Sequence, residues 1–114
     1  MIVSILMRKT RINDRAEWEK RLSGVLPRVT DILKSEQGFA SVEYAWGVES
    51  DGEMMQVTTW DTSEDCQRHV REGGAADVAT IEDAALPTAP FPNGAWVRKT
   101  FEVSGDTDVT VDVK

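Results

Sequence analysis

The stretch from Phe39 to Trp60, FASVEYAWGVESDGEMMQVTTW, constrains the fold more than any other. Ala40, Val42, Tyr44, Trp46 and Val48 recur at every second position, with Ser41 and Glu43 between them. That is the period of a strand with one buried face. Asp51-Gly52 within ESDGE is the strongest hairpin signal of the chain, and MMQVTTW over 54–60 returns as the partner strand. An isolated hairpin is marginal in water, so the flanking segments decide the architecture.

Residues 1–9 carry Ile2, Val3, Ile5 and Leu6, apolar on both faces, which predicts a strand interior to its sheet. Asn13 or Asp14 can cap a helix, in which Trp18, Leu22, Val25, Val29 and Ile32 form one apolar stripe. Pro27 falls inside that stripe without changing its phase, which favours one kinked helix, and Gly38 is placed to end it. After the hairpin, Thr62 is a good N-cap, with Asp65 three residues on and Glu64 at the positive end of the helix dipole. Gly73-Gly74 interrupts this helix, and Val78, Ile81 and Ala85 carry it on to about Leu86. LPTAPFPNG is a loop, with Asn93 a turn residue or a pocket rim, and AWVRKTFEV over 95–103 is a fourth strand. The order β-α-β-β-α-β predicts an α+β, ferredoxin-like domain: two helices on one face of a four-stranded antiparallel sheet. It spans residues 1–104. The tail, 105–114, alternates Val109, Val111 and Val113 with polar residues. It adds an edge strand, reaches a partner subunit, or stays disordered.

A chain of 114 residues is enough for one domain with a small core, and pairing with a second copy would help it. With 20 acidic against 13 basic residues the net charge is −7, which argues against nucleic acid and anionic membranes as partners. A lone cysteine, Cys66, excludes an intrachain disulfide and a Cys-rich metal site and fits a reducing compartment. One His and one Cys supply too few soft ligands for a metal. The start, MIVSILMRKT, is too short for a signal segment, and nothing approaches the roughly 18 apolar residues of a membrane span. The expectation is a cytoplasmic protein.

The long first helix ending in EQGFASVEY, the hairpin closing on TTW, and the helix start DTSEDCQRHV together resemble the antibiotic-biosynthesis-monooxygenase family of dimeric α+β barrels. Gly38, Tyr44, Trp60, Thr62 and His69 stand where that family has its helix-ending glycine, strand aromatics, cap and histidine. The resemblance covers about residues 1–103. It implies a homodimer whose sheets pack face to face, with a pocket between sheet and helices in each subunit. It also implies an aromatic small-molecule substrate, an aromatic polyketide or quinol, oxygenated without a cofactor. Relatives by the same resemblance include polyketide cyclases, haem degraders and members without known activity. The haem-degrading branch uses an Asn near the end of its first strand; here Met7 stands in that region, which disfavours haem degradation.

Six residues carry the functional expectation. His69 follows Trp60 by nine residues and is a candidate for proton transfer near neutral pH. The alternative is a histidine at the boundary of the core, bonded to a backbone carbonyl or to a partner subunit. Tyr44 can bond a phenolate or carbonyl, and Trp60, Trp46 and Trp96 can hold a flat ring or simply form core. Arg98 can supply a counter-charge. Cys66 reads as a small core hydrophobe. The rival functions are a cyclase or isomerase, which transfers protons without consuming oxygen, and a binding module without turnover.

Overall fold

The computed structural model describes residues 1–90, 94 and 96–104. Along the chain run β1 (Ile2–Lys9), α1 (Arg15–Lys34), β2 (Phe39–Trp46), β3 (Glu53–Trp60), α2 (Ser63–Arg71), α3 (Gly74–Ala85) and β4 (Val97–Glu102). The four strands form one antiparallel sheet in the order β2-β3-β1-β4. The architecture is thus α+β with the ferredoxin-like strand order, and the second helical region is split into two. β1 lies between β3 and β4, as its apolar faces predict.

Local chemistry starts and stops each helix. The Asp14 carboxylate accepts the Glu17 N–H, and the Thr62 hydroxyl accepts the Asp65 N–H, satisfying donors that a helix start leaves free. α1 runs unbroken through Pro27 and ends at Ser35; Gly38, at φ 82°, comes three residues later and turns the chain into β2. Gly73 takes the left-handed conformation, φ 92°, that separates α2 from α3.

Register sets the faces. Ile2 pairs with Trp60, Ser4 with Thr58, Leu6 with Gln56 and Arg8 with Met54, and all of these are buried beneath the helices. β2 contributes Val42, Tyr44 and Trp46 to that face. A register shift between Phe39 and Ser41 moves Ala40 off it, so Ala40 is exposed and Phe39 packs on the core instead. Val48 lies past the end of β2 and is 92% exposed, so it too leaves the expected face. In α1 the buried stripe is Trp18, Leu22, Val25, Val29 and Leu33; Ile32 is half-buried beside it.

Two apolar clusters hold the layers together. One joins Ile2, Val29, Leu33, Trp60, Cys66 and Val78. The other joins Ile12, Trp18, Leu22, Val25, Met54 and Leu86. Ile81 packs on both. Between the clusters the strand register places Ser4, Gln56 and Thr58, and α3 places Glu82 between Val78 and Leu86. Among the described residues, no helix is long and apolar enough to cross a membrane. The expected tail strand at 105–114 and Asn93 lie outside the described residues.

Candidate functional site

Every second residue of β3 faces the helices, and there MMQVTTW places Met54, Gln56, Thr58 and Trp60. An apolar–polar–polar–apolar run on a buried face needs partners for its polar middle. Glu82 supplies one. Its Oε2 accepts the Gln56 amide at 2.6 Å and the Tyr44 hydroxyl from β2. Glu82 is fully buried, and burial raises its pKa, with the Tyr44 and Gln56 hydrogen bonds and the charges of Arg8 and Arg98 pulling it back. Burial, and then the neighbouring Glu82 charge, pushes the Tyr44 phenol far above its usual value.

Two arginines border this group. Arg8, 4% exposed, donates through Nη1 to the Leu86 carbonyl at 2.5 Å and to Thr88 Oγ1 at 3.2 Å. Its guanidinium lies over the Trp96 ring, 4.3 Å from the centroid, and its Nη2 has no hydrogen-bond partner among the described residues. Asp83 stands 3.9 Å from Nη1. Arg98 on β4 donates to Ser4 Oγ at 2.8 Å. Burial raises the pKa of the Cys66 thiol, and the neighbouring Ser4 pulls it back. The Arg98 charge acts on both His69 and Glu82, lowering the pKa of each.

Trp60 and His69 meet. Trp60 has no exposed surface; its ring lies 4.8 Å from the His69 ring and 5.6 Å, edge on, from Phe39. The indole N–H donates to Thr58 Oγ1 at 2.9 Å. His69 is 4% exposed, and its Nδ1 is bonded to the Glu36 carboxylate in the turn after α1, not to a backbone carbonyl. Burial lowers the His69 pKa, while Glu36 pulls it upward. Gly74 makes room for this pair: a Cβ there would stand 2.8 Å from His69 Nδ1 and would collide with the Glu36 carboxylate. Asp65, Cys66 and His69 form the buried face of α2, and the apolar Val70 is 46% exposed.

The six candidate residues therefore fall into separate groups. Trp60 and His69 touch each other, and Tyr44 belongs to Glu82. Arg98 is bonded to Ser4. Trp46 packs against Trp18 at 5.3 Å, and Trp96 packs under Arg8. A groove of about 410 Å³, lined by Ser63, Cys66, Gln67, Val70, Arg71 and Thr100, runs between α2 and β4 toward Cys66. A smaller one of about 240 Å³ reaches the His69–Glu36 pair from the opposite side of α2. Among the described residues no three His, Cys, Asp or Glu side chains gather where they could hold a metal.

Glu82, Gln56, Arg8 and Glu36 were not singled out from sequence. For two of them a signal existed. Glu82 interrupts the apolar spacing Val78, Ile81, Ala85 and Leu86, and Gln56 sits on the buried phase of β3.

No protein-family model matches the sequence, and no curated protein is similar to it. The fold, by contrast, is shared with solved structures. SnoaB of Streptomyces nogalater, a cofactor-independent oxygenase, superposes with a TM-score of 0.60 at 18% identity, covering 95% of this chain and 98% of that one. A Deinococcus radiodurans protein provisionally assigned as an antibiotic biosynthesis monooxygenase gives 0.64 at 12% identity, covering 96% and 98%. The haem degrader MhuD of Mycobacterium tuberculosis, solved with two haems in its active site, gives 0.62 at 20% identity, covering 93% and 98%. The chain has the fold of the antibiotic-biosynthesis monooxygenases over nearly its whole length.

Proposed function

We propose that this protein is a cofactor-independent oxygenase acting on an aromatic polyketide or quinol. One observation carries the reading. A strip of polar groups, with Ser4, Gln56 and Glu82 buried and Tyr44 and Arg98 half-buried, separates two apolar clusters inside the sheet–helix layer. Folding does not require such a strip, because apolar residues of similar volume would join the clusters at lower desolvation cost. Deprotonating a phenol or anthrone does require one: a proton acceptor, and a cation to face the resulting anion. The electron-rich anion then reacts with O₂ itself. Arg98 faces the anion, and the ring meets the polar strip at the partly exposed Tyr44 on edge strand β2. Trp60 forms the wall behind, and His69, through Glu36, passes protons on to solvent. Trp46 and Trp96 support the layer through Trp18 and Arg8. On β1, the residues facing the helices are Ile2, Ser4, Leu6 and Arg8, and Met7 points away, so the strand offers no Asn for haem degradation.

The oligomer belongs to the same proposal. The sheet face away from the helices carries Val3, Ile5, Met7, Met55, Val57, Val97 and Phe101, and a second copy would cover it.

The test is oxygen uptake with a simple anthrone or quinol, with chelator present and no flavin added. Uptake that scales with enzyme and yields the quinone supports the reading. Turnover without uptake would replace it with a cyclase or isomerase. No turnover of any aromatic substrate would leave a binding module.

A further inference from the structure

Glu82 lies mid-way along α3 with 1% of its surface exposed. Its two hydrogen-bond donors, the Tyr44 hydroxyl and the Gln56 amide, are both neutral. It takes part in no ion pair among the described residues. The charges of Arg8 on β1 and Arg98 on β4 act on it without contact, and Asp83 offsets part of the Arg8 charge. A carboxylate placed in this way is costly when ionised. A glutamine would make comparable bonds, and a leucine would continue the apolar spacing on either side. The arrangement has a use if the group changes its charge during the protein's work. Tyr44 is the exit from the cluster: it is partly exposed on edge strand β2, whereas Glu82 and Gln56 are buried.

We propose that Glu82, acting through the Tyr44 hydroxyl, takes the proton from the acidic hydroxyl of the aromatic ligand. This rests on the aromatic-substrate reading above and assigns its first step. The ligand's proton passes to the Tyr44 oxygen as the tyrosine's own proton passes to Glu82. One O–H bond breaks on the ligand and one forms on Glu82. Tyr44 ends as it began, and the electron pair stays on the ligand as phenolate. The net charge of cluster and ligand together is unchanged. The negative charge moves from the carboxylate to the ligand, where Arg98 and Arg8 still act on it. Tyr44 is then the catalytic contact, and Glu82 is the positioning residue behind it.

Para-nitrophenol is a suitable probe, because its phenolate is yellow and its phenol is not. About one pH unit below the probe's own pKa, the wild-type protein is expected to bind it as the yellow form. Glu82→Gln is expected to bind it colourless, with the phenolate share down about tenfold, one pKa unit being a factor of ten. Tyr44→Phe is expected to do the same, and it carries the test if Glu82→Gln fails to fold. Tyr44 is the only tyrosine of the chain, so tyrosinate absorbance reports it alone. Its ionisation is expected at lower pH in Glu82→Gln than in the wild type. Equal colour in all three proteins, an unmoved tyrosine titration, or no binding of the probe by the wild type would overturn the assignment. Oxygen uptake separates the two claims. Colour loss in the variants, with no uptake by the wild type, upholds the proton assignment and removes the oxygenase. Uptake by Glu82→Gln with an unchanged kcat and pH profile removes the proton assignment alone.

Discussion

His69 and Glu82 respond to pH in opposite directions, although both shifts begin with burial. Burial holds the His69 pKa below its unfolded value, against the pull of Glu36. As pH falls below about 6.5 the unfolded chain takes up a proton that folded His69 resists, so stability drops until the lower folded pKa is passed. Denaturation midpoints taken across this range should show that loss in the wild type and less of it in His69→Gln. An equal slope in both proteins would mean His69 does not titrate with folding. Glu82 runs the other way. Its folded pKa is raised, so the folded state holds a proton longer than the unfolded chain does. Stability is therefore lost as pH rises from about 4.3 through the raised value. Comparing Glu82→Gln with the wild type at each pH should show the variant gaining relative stability across that window and then levelling. A constant difference would mean Glu82 is ionised as readily in the fold as in the unfolded chain. His69→Ala is a separate matter of packing: removing a ring wedged against Trp60 should cost roughly 2–3 kcal/mol.

Between elements, glycines distinguish close approach from mere helix weakness. Gly74 opens α3 where the His69–Glu36 pair passes, and a Cβ there collides with both side chains. Gly74→Ala should therefore cost about 2 kcal/mol or more, near 8 °C or more in Tm for a domain of this size. Gly24, inside α1, has none of the described residues within 4 Å of its would-be Cβ. Gly24→Ala should raise stability by about 0.5–1 kcal/mol, since only the helix propensity changes. Melting both variants under one condition checks the pair; a stabilised Gly74→Ala would mean the His69–Glu36 bond is dispensable. The same contrast explains how far the sequence could be read. The hairpin, the caps at Asp14 and Thr62, and the break at Gly73 rest on neighbours within a few residues, and each has a local signal. The bulge at Ala40 has none, because it depends on how Trp60 pairs with Phe39. The polar cluster depends on partners 38 residues apart for Tyr44 and Glu82, 33 for Glu36 and His69, and 78 for Arg8 and Leu86. Periodicity can show that Glu82 stands on a buried phase of α3, but only the fold shows which donors meet it.

Among the described residues the sheet has one face covered by helices and one bare. An antiparallel sheet tolerates water on one side when that side is polar. Here the bare side carries Phe101 at 50% exposure, Val97 at 44% and Met7 at 38%, with Val3, Ile5, Met55 and Val57 between them. A largely apolar surface of this kind, broken on β4 by Lys99, is the mark of an interface. The occupant that fits without further assumption is a second copy, because a two-fold axis through the sheet sets the same side chains against each other. Light scattering at micromolar concentration should give twice the 12.7 kDa chain mass. Phe101→Glu places a carboxylate of each copy in that contact and should yield a folded monomer, whereas Phe101→Ala should only weaken the dimer. Because Phe101 lies on the opposite face from Arg98 and Ser4, the monomer formed by Phe101→Glu should still bind para-nitrophenol. Loss of the probe together with loss of the dimer would show that the partner completes the site. A wild-type monomer would mean that this face is covered by something other than a second copy.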